Sequence, residues 1–318
     1  MVKENYCILN ERLKAIISTT FTVLLMSQAV VLTKYAFSSV TPATFLWMTT
    51  VTGMVVMSFY TFVIKKEKIP RHLLTRKIWI YLFLIGFFNF GTGQFTTLSL
   101  NYLSATTNTY LSKFVGFLTM FFSIIMLKEK PGFFQVLGAG IALAGLRVFF
   151  PATLQEGEFI GVILVLIGIT GLAITNNLTR KLAIETNNQI SNNFVSTMAI
   201  LIGGSIMSVV CMIIDGMPPK LSNIGDLLLI IYVGVSFKAI ALALWNKNLR
   251  ALRSYEVSLL GASMVIWTSL MAWIFIGEEL NSNQIIGIVL LLIGLVFVQV
   301  RYNPMHWIKK NLLPARKN

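Results

Sequence analysis

The chain contains the stretch LKEKPGFFQVLGAGIALAG at residues 127–145, and at residues 276–294 it contains IGEELNSNQIIGIVLLLIG. A shift of 149 positions places Glu129 on Glu278. The same shift aligns a glutamine and two glycines of each stretch: Gln135, Gly138 and Gly145 with Gln284, Gly287 and Gly294. The two glycines of each stretch are seven residues apart, which is two helical turns, so each pair shares one helix face.

The match extends over 53 aligned residues, of which 11 are identical. Compositional coincidence is the alternative, but the ordered series of glutamate, glutamine and glycines favours an internal duplication. A second correspondence supports duplication, because residues 33–36 align with residues 180–183 at a shift of 147. We therefore predict two halves, residues 1–150 and residues 151–318.

The composition is that of an integral membrane protein. Hydrophobic residues make up 56% of the chain, charged residues make up 12%, and the mean hydropathy is +0.76, which is too apolar for a soluble protein of 318 residues. The net charge of +14 does not indicate nucleic acid as a partner, because the basic residues flank hydrophobic runs. We expect the first apolar run to act as an uncleaved signal.

The chain offers ten apolar runs, and a helix that crosses the hydrocarbon layer needs about 20 mostly apolar residues. They span residues 13–36, 42–64, 77–99, 104–127, 132–150, 158–180, 191–214, 226–247, 254–276 and 283–301. The runs lack the strict alternation of barrel strands. The sequence therefore predicts an all-α membrane protein with ten transmembrane helices.

The distribution of Lys and Arg predicts the orientation. If the N-terminus is cytoplasmic, 21 of the 26 basic residues lie in cytoplasmic segments and three lie on the opposite side, which predicts that both termini are cytoplasmic. Each half has five runs, an odd number, so the second half must enter the membrane in the opposite sense. Inverted repeats place a central site on a pseudo-two-fold axis, where it opens to either side in turn.

These features resemble the drug/metabolite transporter superfamily, in its ten-span branch with two EamA-like halves. The resemblance rests on the ending Lys34-Tyr35-Ala36 of the first run and on the two stretches quoted above. The chain departs from the family in two ways: Lys128 replaces a glycine, and the proline common midway along the fourth span of each half is absent. The resemblance implies two EamA-like five-helix repeats, residues 1–150 and 151–318, and a multi-pass carrier in the plasma membrane, the bacterial inner membrane.

Lys238 is the first candidate for a substrate-binding residue. It lies about twelve residues into the eighth run, where a lysine costs roughly 2.5 to 3.5 kcal/mol on insertion scales and usually marks a cavity or pathway. By helical spacing Gly234, Ala241 and Trp245 share its face, so Trp245 could stack on a ligand. The alternative is a lysine that bonds backbone carbonyls or a neighbouring polar span.

Asn89 is the counterpart of Lys238 at the shift of 149, and Thr92 and Thr96 share its helix face. We expect this polar stripe to line the same site, with hydrogen bonds between spans as the alternative. Further candidates are Lys113 in the fourth run and Gln28 and Asn176 in the first and sixth runs, although Lys113 could instead snorkel to the surface. Glu256 is the candidate for ion coupling, but an ion pair with Arg253 is the competing interpretation.

Two buried lysines without a buried acid favour a substrate that bears a carboxylate or another anion. The sequence therefore predicts a secondary transporter that moves a small amphipathic metabolite, an amino acid or organic anion, by alternating access, with export as the expected direction. A facilitative channel or a lipid-carrier flippase of the same fold is the alternative. A membrane enzyme acting on lipid-linked substrates is disfavoured, because the runs contain no cluster of acids or histidines.

The chain contains no zinc-ligand spacing and no phosphate-binding loop, so we expect neither a metal nor a cofactor. The expected partners are the small-molecule substrate and membrane lipid, and we expect no nucleic acid. Whether the protein forms a homodimer is left open by the sequence. Glu129 and Glu278 end apolar runs in turns, and we expect them to cap or tie helices. The repeated glycines of the fifth and tenth runs predict faces of close helix packing.

Overall fold

The computed structural model describes residues 2–73, 75–126, 128, 132–150, 156–216, 219, 221, 223–251 and 260–299. Every regular element of these residues is helical. In chain order the helices are α1 (Val2–Ala36), α2 (Pro42–Ile64), α3 (Arg76–Asn101), α4 (Ala105–Met126), α5 (Phe133–Phe149), α6 (Glu156–Glu185), α7 (Asn192–Asp215), α8 (Ile224–Asn248), α9 (Leu260–Ile276) and α10 (Ser282–Gln299).

Seven helices of the described chain are long and apolar enough to cross a membrane: α1 to α4 and α6 to α8. The remaining three, α5, α9 and α10, are apolar but shorter. The all-helical prediction is thus confirmed, whereas ten membrane crossings and the cytoplasmic position of both termini remain predictions. Glu129 and Glu256 lie outside the described residues.

Helix boundaries follow local capping chemistry. The N-cap residues Ser104 and Ser191 accept hydrogen bonds from backbone amides three residues later, at 3.0 Å in both cases. Asn223 and Asp226 cap the start of α8 reciprocally, each side chain accepting from the other residue's backbone N–H. Helix α9 ends at Ile276, and its C-cap residue Gly277 has a φ of 68°, in the left-handed region that glycine adopts without steric cost.

The described helices form two packing units. The larger unit contains residues 1–127 and 154–280, and the smaller contains residues 128–153 and 281–318. The division does not follow the two sequence halves, because the last helix of each half pairs with the last helix of the other. The predicted boundary between residues 150 and 151 therefore describes a repeat of sequence and stays a prediction.

In the larger unit α2 and α7, which are equivalent helices of the two repeats, run antiparallel. Thr44 near the start of α2 bonds Asp215 at the end of α7. Toward the other end, the hydroxyls of Thr61 and Thr197 are 2.7 Å apart. The residue number rises along one helix as it falls along the other, so the N-terminus of each helix lies beside the C-terminus of its partner.

In the smaller unit α5 and α10 are packed through the four repeated glycines. A Cβ atom on Gly138 would lie 2.4 Å from the carbonyl oxygen of Gly294, and one on Gly294 would lie 2.6 Å from that of Gly138. Gly145 and Gly287 form the same reciprocal pair, at 3.0 Å in both directions. The glycine faces are therefore the close-packing faces that the sequence predicts, and these two equivalent helices also run antiparallel.

Three of the long helices in the described part of the chain contain π-helical segments: α2 ends in one at Phe59–Ile64, and those of α3 and α8 lie at equivalent positions of the two repeats. Helix α3 has one at Phe87–Gly91, and α8 has one at Ser236–Ala241. Their first residues are separated by the repeat shift of 149, because 236 minus 87 is 149. Asn89 and Lys238 are each the third residue of such a segment. Single-turn π-segments inside α-helices occur frequently at functional sites.

Candidate functional site

Lys238 lies in the π-helical segment of α8, and only 7% of its surface is exposed. The site forms where α8 packs against α2 and α3. A Cβ atom on Gly53 of α2 would lie 2.7 Å from the Cβ of Lys238, so only glycine lets the two helices approach this closely. The side chain of Lys238 is thereby enclosed by protein.

The Lys238 ammonium donates two hydrogen bonds to neutral side chains. One goes to the hydroxyl of Thr50 on α2 at 3.1 Å, and the other goes to Oε1 of Gln94 on α3 at 2.8 Å. Thr50 and Gln94 are buried, with 2% and 8% of their surfaces exposed. The ammonium also lies 5.9 Å from the centroid of the Phe90 ring, within the range of a cation–π contact. Three helices therefore converge on this one charge.

No carboxylate of the described residues forms an ion pair with Lys238. An ammonium carries three N–H donors, and the third has no oxygen acceptor among the described residues. A buried charge is costly unless it is paired and fully hydrogen-bonded. The arrangement leaves one N–H donor of Lys238 without an acceptor, and its ammonium without a counterion, among the described residues.

The structure places Asn89 half-buried in the π-segment of α3. Its side chain forms no hydrogen bond with a described residue. Trp245, two turns beyond Lys238 on α8, packs with Ala15, Ile16 and Leu260. A Cβ on Gly261 would lie 3.0 Å from the Trp245 ring. Trp245 thus packs against α1 and the start of α9.

Thr92 and Thr96 lie against glycines of α6. Cβ atoms on Gly171 and Gly168 would collide with Thr92 and Thr96 respectively. Both hydroxyls bond backbone carbonyls of their own helix, at 2.9 Å for Thr92 and 2.7 Å for Thr96. The polar stripe expected from regular helical spacing is therefore engaged in packing between α3 and α6.

The remaining candidates contact other helices. The ammonium of Lys113, which is half-buried on α4, lies 3.2 Å from the sulfur of Met264 on α9. Gln28 on α1 accepts a hydrogen bond from the Tyr232 hydroxyl at 3.0 Å. Asn176, on α6, donates to the Thr119 hydroxyl at 3.2 Å. Among the described residues, no hydrogen bond joins any two of the eight substrate-binding residues proposed from the sequence.

Sequence reasoning missed Thr50 and Gln94, the two partners of Lys238. Neither carries a charge, and threonine is common in these helices. Gln94 had a usable signal, because an amide inside an apolar run is costly unless it is bonded. Regular helical spacing from Asn89 selected Thr92 and Thr96 and did not select Gln94. That spacing does not hold in this region, because a 3-10 turn at Thr92–Gln94 follows the π-segment.

Glu278 ties two helices, as the sequence predicts. Its carboxylate follows the end of α9 and accepts hydrogen bonds from the backbone amides of Ala105 and Thr106, at 2.7 Å and 3.2 Å. These amides begin α4, where the positive end of the helix dipole favours an anion. The carboxylate is therefore engaged in holding two helix ends together, outside the site around Lys238.

The fold and site define a multi-pass membrane protein with a buried cationic site between helices. The model of the EamA-like transporter family matches the chain twice, at residues 13–150 and 159–300. A curated relative, an uncharacterized transporter of Clostridium kluyveri, is 21% identical over 239 residues, which are 73% of this chain and 75% of the relative. A solved crystal structure of a protein shares the fold, with a TM-score of 0.64 at 16% identity over 92% of this chain and 98% of that one.

The chain belongs to the EamA-like transporter family, within the drug/metabolite transporter superfamily. Its two family matches correspond to the two repeats found in the sequence, and the protein is a membrane transporter. Within the described residues, no group of three or more His, Cys, Asp or Glu could hold a metal ion.

Proposed function

We propose that this transporter moves a small amphipathic metabolite with a carboxylate, an amino acid or organic anion, across a bacterial inner membrane. The observation that carries the proposal is the ammonium of Lys238, which is buried between α2, α3 and α8 with only neutral hydrogen-bond partners. A carboxylate would satisfy the third N–H and neutralise the charge. Charge-assisted hydrogen bonds of this kind are roughly twice as strong as neutral ones.

The selectivity expected of this site follows from the remaining groups. Thr50 and Gln94 hold the ammonium in place, so the anionic group of the substrate is oriented without moving the lysine. The Phe90 ring beside the charge provides apolar surface for the rest of an amphipathic substrate. Asn89, Trp245 and the other sequence-selected residues are proposed to contact the substrate in conformations that open the site.

The proposed mechanism is alternating access between two inverted five-helix repeats with ten membrane crossings. It is supported by the antiparallel pairing of equivalent helices, α2 with α7 and α5 with α10. Helices related in this way lie about an axis perpendicular to their length, which is an axis in the membrane plane. Net export is proposed from the family resemblance, and Glu256 is kept as the proposed coupling residue.

Counterflow in proteoliposomes tests the proposed function. Vesicles are loaded with one unlabelled amino acid or organic acid at a time, and uptake of the same labelled compound is followed with and without the internal load. We expect saturable flux and a transient overshoot for at least one carboxylate, because a carrier returns faster when it is loaded. Linear, non-saturating flux would instead indicate a channel, and no flux of any carboxylate would reject the proposed substrate class.

A further inference from the structure

The end of α7 is fastened to the start of α2 by one carboxylate. Asp215, the last residue of α7, accepts a hydrogen bond from the hydroxyl of Thr41, the N-cap residue of α2. It also accepts from the backbone N–H and the hydroxyl of Thr44, both at 2.8 Å. Thr41 makes no capping bond with its own side chain, so the carboxylate from the opposite repeat caps α2.

The other end of the same helix pair has a matching carboxylate. Glu67, three residues beyond the end of α2, accepts a hydrogen bond from the hydroxyl of Ser191, the N-cap residue of α7. The side-chain amide of Asn193 lies 3.5 Å from the second oxygen of Glu67. Again a carboxylate from the end of one helix holds the start of its antiparallel partner.

The two clasps are related by the internal repeat. Thr41 corresponds to Ser191 at a shift of 150, and each is the N-cap of its helix. Asp215 is the last residue of α7, and Glu67 lies three residues beyond the last residue of α2. Because α2 and α7 run antiparallel, equivalent clasps must lie at opposite ends of the pair. We name them the Asp215 clasp and the Glu67 clasp.

We propose that the Asp215 and Glu67 clasps are the two gates of this carrier, released one at a time while the other holds the repeats together. The inference rests on the proposed alternating-access function, since only such a carrier needs its two ends to open separately. Hydrogen bonds to a charged group are roughly twice as strong as bonds between neutral groups. Both clasps are formed in the structure, which corresponds to the closed state between the two open ones.

The chain contains a native reporter beside the Asp215 clasp. Cys211 precedes Asp215 by one helical turn, is 1% exposed, and packs against Ala43 and Leu46 of α2. A water-soluble thiol reagent can reach this sulfur only when α2 and α7 separate at that end. Thr61 offers the equivalent position at the shift of 150, because it is fully buried against Thr197 near the Glu67 clasp.

The test measures the labelling rate of Cys211 by a membrane-impermeant methanethiosulfonate, without substrate, in a Cys7→Ser background. Asp215→Asn should raise the rate about tenfold, because the hydrogen bonds from Thr41 and Thr44 lose their charged acceptor. Glu67→Gln should leave the rate at or below that of the parent protein. Glu279→Gln is the matched control, since it removes an exposed carboxylate and should change nothing.

A second reporter, at the Glu67 end of the helix pair, distinguishes the opening of one gate from general unfolding of the variant. In a Cys7→Ser, Cys211→Ala, Thr61→Cys protein, Glu67→Gln should raise the labelling rate and Asp215→Asn should not. Equal increases at both reporters in either variant, or parent rates throughout, would overturn the gate assignment. Because no substrate is present, the crossed pattern can hold even if carboxylate counterflow fails, in which case only the proposed substrate class is rejected.

Discussion

The ammonium of Lys238 and the side-chain oxygen of Gln94 are 2.8 Å apart, and they join the eighth and third helices. Each residue lies in or directly after a segment that departs from the α-helical pattern. Such segments rotate the following side chains relative to a regular helix. The distortion of α3 therefore brings a neutral amide to the buried ammonium.

Gln94→Glu should convert this neutral contact into an internal ion pair. The new carboxylate would compete with the carboxylate of the substrate for Lys238, so we expect at least an approximately tenfold loss of apparent affinity in a counterflow assay. Gln94→Met, which has similar volume and no charge, should retain more affinity than Gln94→Glu. Equal affinity of the Gln94→Glu variant and the parent would mean that the substrate does not meet this ammonium.

Gly138→Ala tests the packing of α5 against α10. The added Cβ would lie 2.4 Å from the carbonyl oxygen of Gly294, and overpacking of this kind costs about 1–3 kcal/mol. Gly140→Ala on the same helix is the control, because nothing lies within 4 Å of its added Cβ. Thermal melting of the detergent-solubilised protein should fall for Gly138→Ala and stay level or rise for Gly140→Ala. The reverse order would contradict the pairing of these two helices.

Glu278→Gln tests the tie between α9 and α4. The amide keeps one acceptor oxygen but loses the charge that faces the start of α4, so we expect a loss of about 1 kcal/mol. Glu279→Gln, at the neighbouring exposed position, should leave the melting temperature unchanged. Equal melting temperatures for both variants would show that the hydrogen bonds to Ala105 and Thr106 contribute little to stability.

Much of the fold could be predicted from sequence because hydrophobic length and repetition are strong signals. The repeated glycines predicted a packing face, and the structure pairs them reciprocally. The same patterns could not show that α5 and α10 form a separate packing unit. Which helix packs on which depends on side-chain shape across residues far apart in the chain, and periodicity within one helix carries no such information.

The site was predicted less completely than the fold. Lys238 was found because a charge in an apolar run is costly, whereas its partner Thr50 carries no comparable signal. Thr92 and Thr96 were selected by regular helical spacing from Asn89, but π-helical and 3-10 turns intervene. In the structure these two threonines pack against α6, and their contact with substrate stays a prediction.

Lys113→Met tests the second lysine inside a predicted span. Its ammonium contacts the sulfur of Met264 at 3.2 Å, and a thioether is a weak acceptor. If the ammonium binds the substrate anion, its loss should weaken binding about tenfold or more in an equilibrium binding assay. Met264→Leu keeps the volume and removes the sulfur, so it should preserve affinity. Unchanged affinity in Lys113→Met would assign this lysine a structural role.

The most direct test of the central claim is a thermal-shift screen of amino acids and organic acids on the parent protein and on Lys238→Met. The variant keeps an unbranched apolar side chain and removes the charge together with the N–H donors to Thr50 and Gln94. Lys247→Met, at an exposed position of the same helix, controls for the loss of one lysine charge. We predict that at least one carboxylate stabilises the parent and Lys247→Met but not Lys238→Met. Full ligand stabilisation of Lys238→Met would contradict the assignment of the site.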